Sequence, residues 1–213
     1  MTPYYEDDAV TIYHGDCREI LPTLEADVLV TDPPYGMGYV SRFGYETTQP
    51  IKGDHDTSLR DEILDYWGDR PALVFGTWKK PRPAATRELL VWHKTGVGFL
   101  GDLGLPWGPA HEEIYVLGKG WEGRRRANVY TVNGLHTRPS SLKRPEHPTP
   151  KPVPLLQALI SYCPQGMIAD PFMGAGSTLR AAKDLGRKAI GIEIEERYCE
   201  IAVEQLAQGV LSL

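Results

Sequence analysis

Four consecutive residues, Asp32-Pro33-Pro34-Tyr35, combine an acidic side chain, a rigid turn and an aromatic ring. Each proline fixes its own φ, so we expect the Asp32 carboxylate, the Pro33 carbonyl and the Tyr35 ring to hold fixed relative positions. A carboxylate and a carbonyl can together accept both hydrogen bonds of an aromatic amino group. This draws the nitrogen out of planar conjugation and frees its lone pair, while the Tyr35 ring can stack on a flat heterocycle. A proline-terminated strand with an incidental acid is the alternative.

A glycine-rich stretch, residues 170–178, is the second candidate site, because it follows an apolar segment and leads into a predicted helix. Glycine permits close backbone approach to a ligand, and a helix N-terminus offers free N–H groups. Glu193 lies 19 residues after Gly174, near the spacing at which an acid hydrogen-bonds ribose hydroxyls. Leu179 replaces the third glycine of a dinucleotide fingerprint, so a nucleoside fits better than a pyrophosphate. A tight turn without a ligand is the alternative.

Short apolar segments alternate with helical patterns along most of the chain, which predicts the sheet that positions these residues. Strands are predicted at residues 10–14, 26–31, 72–75, 89–93, 114–117, 167–169 and 188–192. Helices are predicted at residues 17–24, 58–67, 154–161, 178–185 and 195–207. The predicted fold class is α/β, doubly wound, with one antiparallel edge hairpin. Asp32 would then lie at the carboxyl end of a strand, where open α/β sheets bind ligands.

The charge of the chain is unevenly distributed. Its 213 residues carry a formal net charge of −5, which alone argues mildly against a nucleic-acid partner. Residues 119–151, however, hold eight basic and two acidic side chains, so this segment is +6 and the remainder is −11. A solvated loop is the alternative for any single basic residue. The candidates for contact with nucleic acid are Arg124, Arg125, Arg126, Arg138, Lys143 and Arg144.

Composition limits the remaining classes. Hydrophobic residues make up 41 % and charged residues 24 %, as in an ordinary globular protein. The three cysteines show no CxxC spacing, so we predict no disulfide framework and no metal site. The acidic N-terminus is not a secretory signal, and no apolar run approaches about 18 residues. We therefore expect a cytoplasmic protein with no membrane partner.

Six segments resemble, in order, the motifs of the β-group amino-DNA methyltransferases. Asp32-Pro33-Pro34-Tyr35 resembles their catalytic motif, and residues 170–176 resemble their FxGxG cofactor motif. The other four are Gly15-Asp16-Cys17, His111-Glu112-Glu113-Ile114-Tyr115, His147-Pro148-Thr149-Pro150-Lys151-Pro152, and Gly191-Ile192-Glu193-Ile194 with Tyr198. The catalytic motif precedes the cofactor motif, which resembles the circularly permuted motif order of that group.

The resemblance implies a Rossmann-like S-adenosylmethionine-dependent methyltransferase, a single domain of residues 1–213 with a short target-recognition segment at about residues 119–146. Its substrate would be double-stranded DNA, from which the target base is extruded. The implied catalytic residues are Asp32, Pro33, Pro34 and Tyr35. The implied cofactor-binding residues are Asp16, Lys151, Asp170, Pro171, Phe172, Gly174, Gly176, Thr178 and Glu193.

The expected reaction is site-specific methylation of adenine N6, because the AspProProTyr form is more typical of those enzymes. N4-cytosine methylation stays open, since the family does not divide cleanly by motif. A catalytically inactive nucleic-acid-binding homologue is a further alternative, which the intact Asp32, Tyr35 and Glu193 argue against. A nucleotide-dependent oxidoreductase is disfavoured by Leu179. The chain is expected to act as a monomer or homodimer.

Overall fold

A nine-stranded mixed sheet lies at the centre of the protein in the computed structural model, which describes residues 1–38, 53–95, 104–133 and 150–207. Its strands are β1 (Tyr5–Glu6), β2 (Val10–His14), β3 (Val28–Thr31), β4 (Ala72–Gly76), β5 (Glu88–Thr95), β6 (His111–Leu117), β7 (Val129–Asn133), β8 (Ile168–Asp170) and β9 (Ala189–Glu193). The helices are α1 (Cys17–Ile20), which continues into a 3₁₀ turn (Leu21–Thr23), α2 (Ser58–Trp67), α3 (Val153–Ile160), α4 (Ser177–Asp184) and α5 (Glu196–Ala207).

The strand order across the sheet is β1-β2-β9-β8-β3-β4-β6-β5-β7. The five strands from β2 to β4 in this order are parallel to one another, whereas β6 runs antiparallel to both β4 and β5. Parallel strands covered on both faces read as continuous apolar runs, and every residue of β3 and of β4 is buried. All five carboxyl ends therefore meet at one edge of the sheet.

Helices cover both faces of the sheet, because side chains alternate along each strand. In β3, Val28 and Val30 pack into the apolar cluster that contains the buried side chains of α3, α4 and α5. Leu29, between them, packs into the opposite cluster with the buried side chains of α1 and α2. This arrangement confirms the predicted doubly wound α/β fold, and the β5–β6 pair confirms its antiparallel hairpin.

Two strands were not predicted from the sequence. β1 has only two residues and pairs with β2. β7 pairs in parallel with β5, so the hairpin lies one strand inside the edge of the sheet. The sequence of β7 does alternate, since the buried Tyr130 lies between the exposed Val129 and Thr131. The arginine-rich stretch before it, however, indicated a loop. The described helices do not include one that is long and apolar enough to cross a membrane.

Candidate active site

Four acidic side chains lie in a row along the carboxyl edge of the parallel strands. Asp16 follows β2, Glu193 ends β9, Asp170 ends β8 and Asp32 follows β3, in the spatial order of the strands. The two sequence motifs are brought together by the direct pairing of β3 with β8. Across that pair, the Thr31 hydroxyl donates a 2.7 Å hydrogen bond to Oδ1 of Asp170.

Asp32 is held at the end of β3 by a turn that the sequence dictates. The strand stops at Thr31, because Pro33 and Pro34 have no backbone N–H to donate to a neighbouring strand. The Tyr35 hydroxyl then reaches back and donates a 2.8 Å hydrogen bond to Oδ1 of Asp32. The predicted spatial association of Asp32 with the Tyr35 side chain is therefore present in the turn.

Lys151 is the second partner of Asp32, although the two residues are far apart in sequence. Its Nζ lies 2.5 Å from Oδ2 of Asp32 and 5.5 Å from the centre of the Tyr35 ring. Burial raises the pKa of the Asp32 carboxyl above its ordinary value, whereas the positive charge of Lys151 acts against this rise. Burial would lower the pKa of Lys151, but Asp32 and Glu112 outweigh it and raise that pKa, so Lys151 is an ammonium ion.

Glu112 and Lys94 complete this cluster, and neither was assigned a role from the sequence. Glu112 lies in β6 and forms a salt bridge with Lys94 of β5. Its Oε2 lies 3.3 Å from Nζ of Lys151 and 3.4 Å from the hydroxyl oxygen of Tyr35. Burial acts to raise the pKa of Glu112, but Lys151 and Lys94 outweigh it and bring that pKa below its ordinary value. The sequence signals were two adjacent acidic residues, Glu112 and Glu113, before an apolar run, and the resemblance of this segment to a family motif.

A cavity of about 200 Å³ opens beside this cluster. It lies between the turn after β3, the residues that follow β4 and the β5–β6 hairpin. Trp78 stands at this cavity with 61 % of its surface exposed, and Nζ of Lys79 lies 5.7 Å from the centre of its ring. The lining includes Tyr35, Met37, Trp78, Lys94, His111 and Glu112.

The glycine-rich loop after β8 is fixed against the end of β9 by Glu193. The Gly174 N–H donates a 2.9 Å hydrogen bond to one carboxylate oxygen of Glu193, and the Glu195 N–H donates a 2.8 Å bond to the other. Burial raises the pKa of Glu193, and these backbone donors oppose the rise. Gly176 has φ of +83°, and a Cβ on it would lie 2.8 Å from Cβ of Ala202, so the loop requires glycine there.

The other predicted cofactor residues lie around the same loop. Asp16 caps α1 by accepting a 2.9 Å hydrogen bond from the Arg18 N–H. Asp170 accepts hydrogen bonds from the Phe172 N–H and the Thr178 side chain, and burial raises its pKa to about 6. Pro171 and Gly176 are buried, as is Thr178, whereas Phe172 and Gly174 are partly exposed.

The predicted nucleic-acid contacts are described only in part. Arg124, Arg125 and Arg126 are exposed, and the guanidinium of Arg126 stacks on the rings of Tyr130 and Tyr162 at 4.6 and 4.5 Å from their centres. Arg126 therefore ties this segment to β7 and to the end of α3. The remaining candidates, Arg138, Lys143 and Arg144, lie outside the described residues, as does the His147-Pro148-Thr149 motif. Within the described ranges, no group of three His, Cys, Asp or Glu side chains could hold a metal ion.

Known proteins resemble this chain over most of its length. A family model described as DNA methylase matches residues 105–204. The putative methylase YubD of Escherichia coli is 31 % identical, and the match covers 91 % of this chain and 88 % of that protein. The type II methyltransferase M.HinfI of Haemophilus influenzae is 44 % identical over 93 % of this chain and 68 % of its own length.

Solved structures share the fold. The complex of M1.HpyAVI with SAM superposes with a TM-score of 0.65 at 24 % identity, covering 93 % of this chain and 99 % of that one. The cytosine-N4-specific PvuII DNA methyltransferase superposes with a TM-score of 0.73 at 15 % identity, covering 99 % of this chain and 90 % of that one. At these identities the likeness establishes a shared Rossmann-like methyltransferase fold.

Proposed function

The chain belongs to the DNA methylase family of N6-adenine and N4-cytosine methyltransferases, and we propose that it methylates N6 of adenine at a specific site in double-stranded DNA. The observation that carries the proposal is the pairing of β3 with β8, which puts the Asp32 turn beside the glycine-rich loop at one sheet edge. Asp32, which can accept hydrogen bonds from an amino group, is therefore adjacent to the glycine-rich loop, which can bind a nucleoside. The order of the two motifs along the chain supports assignment to the β group.

Asp32 and Pro33 would bind the exocyclic amino group of the target base. The Asp32 carboxylate is ionised when Lys151 balances its charge, and each of its oxygens has a second lone pair besides the one used by Tyr35 or Lys151. Accepting the two amino hydrogens localises the nitrogen lone pair for nucleophilic attack. Fixing the amino group in this way converts a bimolecular encounter into an oriented reaction, which can contribute about 7–11 kcal/mol to lowering the barrier.

The residues at the carboxyl edge fit S-adenosylmethionine, the cofactor of this family. Glu193 has both carboxylate oxygens held by backbone N–H groups, and their remaining lone pairs can accept hydrogen bonds from the two ribose hydroxyls. The positive φ at position 176 requires glycine, and Gly176 has no side chain that could block the cofactor at that part of the loop. When bound, the cofactor supplies an electrophilic methyl group on a sulfonium. The residues proposed to hold it are Asp16, Lys151, Asp170, Pro171, Phe172, Gly174, Gly176, Thr178 and Glu193.

The target base would enter the cavity beside Tyr35. An amino group inside a duplex is blocked by pairing and stacking, so the nucleotide has to be extruded before it reaches Asp32. The cavity of about 200 Å³ is below the range of roughly 300–1,000 Å³ typical of drug-sized ligands, which suits a single heterocycle. The Tyr35 ring and the exposed Trp78 indole line it and offer surfaces on which a base can stack.

In this proposal residues 1–213 form one methyltransferase domain, and residues 119–146 read the target sequence. The exposed Arg124 and Arg125 are the described side chains of that segment best placed for phosphate or guanine contacts. Since M.HinfI is a type II methyltransferase, we also propose that the chain serves in restriction–modification.

The test is to incubate the purified protein with unmethylated DNA and S-adenosylmethionine, digest the DNA to nucleosides and identify the product by mass spectrometry. We expect N6-methyldeoxyadenosine, with methylated positions confined to one short sequence when the DNA is sequenced with modified-base detection. N4-methyldeoxycytidine would replace the adenine assignment by the cytosine one. DNA without any methylated base would refute the proposed activity.

A further inference from the structure

Five side chains next to the cavity form one hydrogen-bonded cluster that joins three separate parts of the chain. Asp32 and Tyr35 come from the turn after β3, Glu112 and Lys94 from the β5–β6 hairpin, and Lys151 from the segment before α3. The cluster contains two carboxylates, two ammonium groups and one phenol, so its formal net charge is zero. Lys151 is only 9 % exposed at its side chain, and Glu112 is 19 % exposed.

The arrangement creates a conflict at Asp32. Its Oδ1 already accepts the Tyr35 hydroxyl at 2.8 Å, and its Oδ2 lies 2.5 Å from Nζ of Lys151. Each oxygen keeps one further lone pair, but a base amino group that binds there crowds these two donors and competes with them for the same oxygen atoms. A phenol carries a single proton, so the Tyr35 hydroxyl can donate to only one acceptor at a time.

One oxygen atom resolves the conflict. Oε2 of Glu112 lies 3.4 Å from the Tyr35 hydroxyl and 3.3 Å from Nζ of Lys151, within reach of both donors that Asp32 holds. We propose that Glu112 is a positioning residue whose Oε2 takes over the Tyr35 and Lys151 hydrogen bonds when the base amino group binds Asp32. This inference rests on the proposed function.

Lys94 holds Glu112 in the orientation that this role requires. Its ammonium pairs with the other carboxylate oxygen, Oε1, and lies 4.8 Å from the centre of the Trp92 ring. Oε2 is thereby left facing Tyr35 and Lys151. Buried ion pairs contribute little net stability compared with apolar residues of similar size, so this cluster is better explained by the reaction than by folding.

The charge of Glu112 also acts on the ionisation of Asp32. The groups that face Asp32 are Lys151, Glu112 and Tyr35, with Asp170 on the neighbouring strand β8. The negative charge of Glu112 raises the pKa of Asp32, so the neutral variant Glu112→Gln lowers that pKa. Activity that needs ionised Asp32 is lost as the pH falls through this pKa. The acidic limb of the kcat profile in Glu112→Gln therefore moves to lower pH.

The experiment measures steady-state and single-turnover methylation of DNA by the whole chain as a function of pH, together with thermal denaturation and calorimetric binding of S-adenosylmethionine. For Glu112→Gln we expect kcat about 10- to 100-fold lower at its optimum, because a hydrogen bond between charged groups is lost. Cofactor affinity and KM for DNA should stay within about twofold. Lys94→Met should lower kcat as well, and the double variant should be no worse than Glu112→Gln alone, since both act through one carboxylate.

Glu113→Gln is the matched control. Glu113 is the next residue, is buried, and binds Arg82 at 2.6 Å and the Tyr115 hydroxyl at 2.8 Å in a separate network. The Glu113→Gln variant should lower Tm without moving the acidic limb of the kcat profile. If Glu112→Gln kept the kcat and the acidic limb of the wild-type pH profile, the inference would be overturned and the proposed function would stand. The same holds if Glu113→Gln lowered kcat as much as Glu112→Gln. A wild-type chain that methylates no DNA would overturn the proposed function and this inference together.

Discussion

Replacing Lys151 by methionine tests how the charge of the Asp32 carboxylate is set. The substitution removes an ammonium group 2.5 Å from Asp32 and keeps an unbranched side chain of similar length. Asp32 then loses its cationic partner, whereas Glu112 retains Lys94. Loss of one partner of a buried ion pair costs about 3–5 kcal/mol, and the partial exposure of Asp32 favours the lower end. We expect the free energy of unfolding to fall by about 3 kcal/mol.

The kinetic effect follows from the same contact. The positive charge of Lys151 lowers the pKa of the Asp32 carboxyl, so its removal raises that pKa. In the proposed mechanism the ionised carboxylate accepts the amino hydrogens, so we expect activity to be lost as the pH falls through this pKa. The acidic limb of the pH–rate profile should therefore move to higher pH in Lys151→Met. This direction is opposite to the one expected for Glu112→Gln.

The assay is the single-turnover rate of DNA methylation between about pH 5 and about pH 9, with Lys151→Arg as the control that keeps the positive charge. Calorimetry of S-adenosylmethionine binding is run on the same samples. An acidic limb that does not move in Lys151→Met would refute the reasoning. If cofactor binding were lost while the acidic limb stayed in place, Lys151 would act on the cofactor alone and not on the charge of Asp32.

Three further substitutions test separate parts of the site. Asp32→Ala should abolish methyl transfer while calorimetric binding of S-adenosylmethionine survives, because the cofactor cradle is formed by other strands. Glu193→Gln should weaken cofactor binding about tenfold, since a charged hydrogen-bond acceptor becomes neutral, with DNA binding unchanged in a gel-shift assay. Gly176→Ala should lower the free energy of unfolding by about 1–3 kcal/mol in a denaturant titration, because alanine is strained at φ +83° and its Cβ would lie 2.8 Å from Ala202.

The parallel half of the sheet could be predicted from the sequence because each of its elements has a local signal. β3 and β4 are short apolar runs that end in proline or glycine, and α2 spans the ten residues that its pattern indicated. β7 has a weaker signal, and its place beside β5 depends on long-range pairing. Local patterns therefore give the elements, whereas the edge order has to come from the folded chain.

In the candidate site too, some contacts follow from local sequence and others from long-range pairing. Asp32 and Tyr35 belong to one turn, so their association could be predicted from four adjacent residues. The contact of Glu112 with Lys94 depends on the register of the β5–β6 hairpin. In this register Glu112 pairs with Trp92, and Lys94 is the diagonal neighbour of Glu112. A one-residue slip would turn these side chains to the other face, and no pattern in the sequence fixes that register.

The row of carboxylates along the sheet edge also has a consequence for how DNA can approach. Asp16, Glu193, Asp170 and Asp32 end or follow adjacent strands. Arg18 and Lys151 neutralise Asp16 and Asp32, so the negative field of this edge comes from Asp170 and Glu193. Two unit charges about 4 Å apart repel by roughly 4 kcal/mol near a protein surface, so a phosphate backbone is kept away from this edge. A neutral base meets no such barrier. In the proposed reaction this edge would therefore favour entry of an extruded, uncharged base and disfavour approach of the phosphate backbone that carries it.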